Sequence, residues 1–197
     1  MTTVIQLKPA PVALPTAAHH QRLRVASRAL SWLFTGLLVL VGTVAAVLIA
    51  GIVLYSGDDY RIGSNAVWIG KGSADSVPFH TLSLPHRLAY AAVGVARIAP
   101  SLMIFWRLRE LFSLYGQGEV FGRRNGWLIG QVGVWLCAYA VAPLACHLFL
   151  SATGWEIDKK WMHLASVQAF ILGLLVFVIA QVMQVGREIE EDREAFV

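Results

Sequence analysis

Charge is what this chain has least of. Asp, Glu, Lys and Arg make up 14% of its 197 residues, where a soluble domain carries roughly 25%. Cysteine is nearly absent as well. Cys137 and Cys146 are the only two. Nine residues of helix hold them about 13.5 Å apart and out of phase, which excludes a disulfide between them. Neither stands in a zinc-binding spacing. No carboxylate falls inside the long apolar runs, and no Ser-His-Asp or Cys-His set has supporting context. The sequence therefore predicts no catalytic residues, no cofactor and no metal, and a non-enzymatic protein. His80, His86, His147 and His163 gather at or near one predicted surface with Asp75, but histidines at a membrane interface are the ordinary reading.

What remains is hydrophobic, in blocks. Ala29 to Tyr55, Gly126 to Ala152 and Met162 to Val185 hold no Asp, Glu, Lys or Arg, and Leu88 to Trp106 holds only Arg97. Each block meets the roughly 18 to 20 residues needed to cross a bilayer. Blocks this long satisfy their backbone there as helices. The predicted fold is an all-α, polytopic membrane protein with four transmembrane helices spanning 28–186.

Basic residues orient those helices. Lys8, Arg22, Arg24 and Arg28 precede the first block. Arg107, Arg109, Arg123 and Arg124 lie between the second and third, and Arg187 and Arg193 follow the fourth. These ten share one side, against five on the other: Arg61, Lys71, Arg87, Lys159 and Lys160. The bias predicts both termini in the cytoplasm. The net charge of +4 then reads as a topology signal with some attraction to anionic lipid, and direct nucleic-acid binding is not expected. Residues 1–27, with three prolines in their first 21 positions, are expected to form a disordered arm. The following run, at 27 residues, is too long for the core of a cleaved signal peptide. The outer loop, 56–87, contains the fragments "AVWIG" and "SVPFHTLSL", which suggest short β pieces or a small cap. Residues 187–197 are an acidic cytoplasmic tail.

Two polar features interrupt the pattern. Arg97 falls near the middle of the second block, three residues before Pro100. A mid-membrane arginine costs a few kcal/mol unless it snorkels or meets a polar partner. Gln131 and Gln168 are candidate members of an intramembrane polar site with it. Gly122, Gly126 and Gly130 recur every four residues. Such a stripe admits a close helix, either within the bundle or as the face of a homodimer.

The stretch "LYGQGEVFGRRN", 114–125, sits between the second and third blocks. Its glycine spacing fits neither a dinucleotide fingerprint nor a phosphate loop, and the residues before it read as helix rather than strand. Glycine there can end one helix, Asn125 can cap the next, Phe121 can anchor in the interface, and Arg123 and Arg124 hold the turn on the cytoplasmic side.

With its flanks this stretch resembles the DUF2975 family of bacterial integral membrane proteins, whose function is unknown. The matching residues are Leu111, Phe112, Tyr115, Gly118, Phe121, Asn125, Gly133 and Pro143. The acidic ending "AQVMQVGREIEEDREAFV" is of the family's kind, although its closing residues differ. The likeness extends over 28–197. It implies residence in a bacterial cytoplasmic (inner) membrane. It also suggests a companion role to a small cytoplasmic DNA-binding regulator. The partner-binding candidates are Tyr115, Glu119, Phe121, Arg123, Arg124 and Asn125 in the turn, with Glu190, Glu191 and Asp192 in the tail. The alternative reading is a component of a small transporter or channel.

Overall fold

The structure, a computed structural model, describes residues 17–63, 67–72, 76–119, 122–155 and 164–195. Four long helices carry the fold: α1 (Ala17–Leu54), α2 (Leu84–Gln117), α3 (Arg123–Thr153) and α4 (Leu164–Ala195). Each is long and apolar enough to cross a membrane. Being even in number, four crossings return both ends of the described chain to the side that holds the α2–α3 elbow.

Each helix packs on its neighbour in sequence, α1 on α2, α2 on α3 and α3 on α4, and α1 and α4 share no extensive contact. The short α2–α3 and α3–α4 connections make those helices antiparallel neighbours, while α1 and α2 are joined by the longer segment 55–83. The four form an open row. Its end helices show the lipid-facing character most strongly. Only 11% of the most apolar window of α1 and of α4 is buried, against 22% for α2. Leu172, Leu175, Val178 and Val182 on α4 are all exposed. In hydrocarbon such residues need no protein cover, so helix contact falls to small residues and shape.

The helix α1 begins at Ala17, ahead of the boundary that the prolines suggested. The expected disordered arm is thus corrected over 17–27, and residues 1–16 lie outside the described part. Past Pro15 the chain runs "TAAHHQRLRVASRAL" with neither proline nor glycine, a composition that costs a helix little. This extension is also docked. Ser27 is buried, and the Arg28 side chain lies along Gly116 of α2, where an added Cβ would stand 3.1 Å from Arg28 Cγ.

On the side opposite the elbow the described residues of the α1–α2 connection fold into a cap. Strands β1 (Tyr60–Ile62), β2 (Val67–Ile69) and β3 (Val77–Pro78) make an antiparallel sheet in the order β2-β1-β3. A 3-10 turn, Phe79–Thr81, follows. Phe79 is 1% exposed and is held between Tyr60 and Tyr90, with ring centroids at 5.2 and 6.2 Å. Ile52 of α1 and Leu150 of α3 complete this core. Backbone ends are satisfied here too. Arg87 Nε donates to Ile52 O at 2.7 Å and its Nη2 to Tyr55 O at 3.0 Å, covering carbonyls at the end of α1 that have no helical partner. Tyr60 Oη donates to Leu48 O at 2.7 Å, and burial raises the Tyr60 phenol above its ordinary value. It therefore remains a protonated donor at neutral pH. Tyr90 Oη donates to Trp155 O, just past the Gly154 turn that ends α3. One compact cap thereby ties together the ends of α1, α2 and α3 that lie opposite the elbow.

Candidate functional site

The α2–α3 elbow is a built structure. Gly118 ends α2 with φ 95°, in the left-handed region. Its N–H donates to Tyr115 O at 3.1 Å, and the N–H of Glu119 donates to Leu114 O at 3.1 Å. This overlapping pair satisfies carbonyls that the last helical turn leaves open. The exposed Arg24 side chain lies over the turn, its Nη2 2.9 Å from where a Cβ at 118 would stand, and can move aside, so it is the left-handed backbone that calls for glycine.

The start of α3 departs from expectation. Gly122 occupies the capping position and makes no side-chain cap bond. Asn125 is the third residue of the helix and does not cap it. Its backbone N–H reaches Gly122 O at 2.9 Å. Its side chain is 1% exposed and turns back across the elbow, Nδ2 donating to Glu119 O at 2.6 Å. The physical reason is burial. Asn125 lies on the helix face turned into the protein, near fully buried Leu128, so its amide finds the carbonyl left by the preceding helix. It stitches α2 to α3.

The other turn residues divide by environment. Arg123, Arg124 and Glu119 are exposed. Tyr115 is half-buried and meets Phe112 edge-on at 5.9 Å, beside the Leu111, Leu114 and Leu128 cluster, which makes it a packing residue. Phe121 lies outside the described residues. Glu190, Glu191 and Asp192 fall on the last turns of α4, which continues unbroken to Ala195, and their side chains also lie outside the described part.

The glycine stripe belongs within the chain. A Cβ on Gly126 would meet Gln184 Cγ at 3.3 Å, and one on Gly130 would meet Ala180 Cβ at 3.6 Å, both on α4. Gly122 faces its own turn, near Asn125 and Arg124. Of the two readings of the stripe, packing within the bundle describes Gly126 and Gly130, which α4 covers. The closest approach lies one turn further on, and the stripe as read did not include it. A Cβ on Gly133 would stand 2.7 Å from Gly173 O, and one on Gly173 would stand 2.8 Å from Gly133 O. This reciprocal contact brings the Gln184 and Arg187 end of α4 against the elbow. Gly122, Asn125, Gly126, Gln184 and Arg187 line one small cavity of about 180 Å³ there. Arg123, Arg124, Trp127 and Gln184 line another of about 540 Å³.

The intramembrane trio does not assemble. Arg97 is half-buried in α2, within electrostatic reach of Cys146 on α3. Helical rise sets Gln131 about 18 Å nearer the elbow than Arg97. Gln168 is exposed on α4, which packs on α3 and makes no extensive contact with α2. Depth in the membrane separates Gln131 from Arg97, and the order of the helices separates Gln168 from it.

The family model for DUF2975, described as a protein of unknown function, matches residues 16–197. The chain belongs to the DUF2975 family. That match reaches further toward the N-terminus than the likeness read from the elbow and tail, and it takes in the docked extension of α1. Neither a curated protein nor a solved structure matches the chain. The DUF2975 elbow residues acquire physical roles from the geometry: Gly118 ends a helix, Asn125 ties two helices, and Gly133 admits α4.

Sequence reasoning used Arg28 and Arg109 only as topology markers and missed a further feature. Between α1 and α2, on the elbow side, lies a cavity of about 690 Å³ lined by Arg28, Ser31, Trp32, Thr35, Arg109, Glu110, Ser113, Leu114, Gly116, Gln117 and Arg124. The signal was present as helical spacing. Arg28, Ser31 and Thr35 fall on one face of α1, and Arg109, Ser113 and Gln117 on one face of α2. What the sequence lacked was the pairing of those two faces.

Proposed function

We propose that this protein is a non-enzymatic docking platform in the cytoplasmic (inner) membrane of a bacterium. Its elbow and the last turns of α4 face the cytoplasm and hold a small soluble regulator of the DNA-binding class. The observation that carries this reading is the α3–α4 packing at Gly126 and Gln184, which sets the exposed Arg123 and Arg124 beside the helix that ends in the acidic segment. A surface of adjoining opposite charge selects partners and speeds encounter more than it adds affinity. The DNA-binding character of the partner rests on the family resemblance alone. DNA contact belongs to the partner in this scheme.

Two measurements test it. With Cys137 and Cys146 replaced by alanine, a cysteine at Lys71 is expected to react with an impermeant reagent added to intact cells, and one at Glu119 to react only after the membrane is opened. The reverse pattern refutes the orientation. Second, affinity purification of the full chain from its native host is expected to recover one small soluble protein. Arg123→Glu with Arg124→Glu should reduce that recovery at least tenfold. Recovery unaffected by the charge reversal, or solute flux in vesicles without any partner, transfers the weight to the transporter or channel reading.

A further inference from the structure

The cavity between α1 and α2 has an unusual charge balance. Arg28, Arg109 and Arg124 face it with one carboxylate, Glu110. Both oxygens of Glu110 are engaged elsewhere. Trp106 Nε1 donates to Oε1 at 3.0 Å, and Arg107 Nη1 pairs with Oε2 at 3.0 Å. Arg124 is also within electrostatic reach of that carboxylate. Arg107 pairs with Glu110 from outside the cavity, so the three guanidinium groups around the opening face one carboxylate that is already shared, and the lining keeps an excess of positive charge. Hydroxyl and amide groups fill the gaps. Ser113 Oγ accepts from Gln117 Nε2 at 3.4 Å and keeps its own proton to donate.

Depth identifies the level at which this opening sits. Arg28 is the last charge before the apolar run 29–55, which places the cavity at the boundary of the hydrocarbon. Trp32, on its rim, is 77% exposed, as suits an aromatic residue at headgroup level.

A second groove lies on the same side of the same helix pair. Gly42, Ala46, Ala50, Ala99 and Leu102 are among the residues lining an apolar cavity of about 570 Å³. Arg28 and Ala46 are about five helical turns apart, as are Ser31 and Ile49 on α1 and Gln117 and Ala99 on α2, so both grooves open on one face. From Arg28 to Gly42 the rise is about 21 Å, close to the reach of an extended acyl chain. Small side chains leave the space.

We infer that the α1–α2 face binds one anionic phospholipid of the elbow-side leaflet. Arg28, Arg109 and Arg124 hold the phosphate, Ser113 and Gln117 lie beside the polar headgroup, and one acyl chain runs along α1 toward Gly42 and Ala46. Guanidinium groups suit a phosphate because their paired N–H groups match its oxygens. The site shares Arg124 with the partner surface proposed above and is otherwise separate from it, so Arg28 and Arg109 are the residues that test it. It would fix α1 to α2 where they leave the membrane, beside the elbow that Arg24 and Arg28 support.

Thermal unfolding of the full chain in a nonionic detergent tests this, titrated in parallel with dioleoyl-phosphatidylglycerol, dioleoyl-phosphatidylcholine, inorganic phosphate and polyglutamate. Phosphatidylglycerol is expected to raise Tm saturably, and the other three to leave it unchanged. Arg28→Gln and Arg109→Gln should each weaken the apparent affinity about fivefold. Arg123→Gln removes the same charge outside the cavity and should leave it unchanged. Ala46→Phe fills the apolar groove without touching charge, and should weaken binding of the long-chain lipid but not of a dihexanoyl form. Equal shifts from both lipids, a full shift from inorganic phosphate or polyglutamate, or long-chain binding intact in Ala46→Phe would each overturn the inference.

Discussion

Replacing Gly133 by alanine is expected to separate α3 from α4 and to destabilise the protein more than any other single methyl group added to the described residues of α3. The added Cβ would stand 2.7 Å from Gly173 O, 2.8 Å from Phe177 N and 3.0 Å from Phe177 Cα. All three are backbone atoms, so no rotamer change relieves the clash. The helices must move apart. The reciprocal contact at Gly173 is lost as they do so, because its own Cβ position lies 2.8 Å from Gly133 O. Overpacking of this kind costs about 1–3 kcal/mol, and in a membrane the loss is felt directly, since close van der Waals contact is itself a main driving force for helix association. The check is the midpoint of thermal unfolding in detergent for Gly133→Ala beside Gly36→Ala. Nothing lies within 4 Å of a Cβ at Gly36, and alanine there gains up to about 1 kcal/mol of helix propensity. Opposite shifts are expected, down for Gly133 and level or up for Gly36. A Gly133→Ala protein as stable as the parent would refute the contact.

The second large effect is local. Asn125→Ala or Asn125→Asp should open the elbow without unfolding the helices. Either change removes the Nδ2 donor that reaches Glu119 O at 2.6 Å. Asn125→Asp also buries a carboxylate at a position that is 1% exposed, which costs more than the lost bond. Loss of a buried hydrogen bond costs about 1–3 kcal/mol. Arg123 and Arg124 adjoin the turn and are exposed, so trypsin reports on it. When opening and closing outpace cleavage, the rate follows the population of the open form. A tenfold or greater acceleration of cleavage after 123 and 124 is expected for Asn125→Ala, and more for Asn125→Asp, with thermal midpoints falling less than for Gly133→Ala. Unaltered cleavage would show that the stitch contributes nothing to holding the turn.

Much of this architecture was legible in residue order. Four apolar runs predict four helices because hydrocarbon leaves a backbone of that length no other way to satisfy its hydrogen bonds. The elbow was legible for a related reason. "LYGQGEVFGRRN" breaks two apolar runs with glycines, and the left-handed backbone at Gly118 is the conformation for which glycine carries no steric penalty. The family likeness was carried by the same residues. The start of α1 was misjudged because three prolines in the first 21 positions outweighed the helix-compatible residues that follow them.

By itself, then, the sequence determined the class, the number of crossings and the place of the turn, since each depends on composition over a window or on one residue's own backbone preference. Only the tertiary structure decided what each special residue meets. The spacing of Gly126 and Gly130 is equally suited to a second copy and to α4, and only the packing assigns it to α4. Asn125 reads as a helix cap until burial turns its amide toward Glu119. Arg97, Gln131 and Gln168 read as one polar site until helical rise and the order of the row part them. Arg28 and Arg109 stand on different helices, far apart in the chain, and their shared cavity exists only because α1 and α2 pack with those two faces adjoining. Which faces meet is settled by shape complementarity between whole helices, a property of side chains distant in sequence that no local window contains.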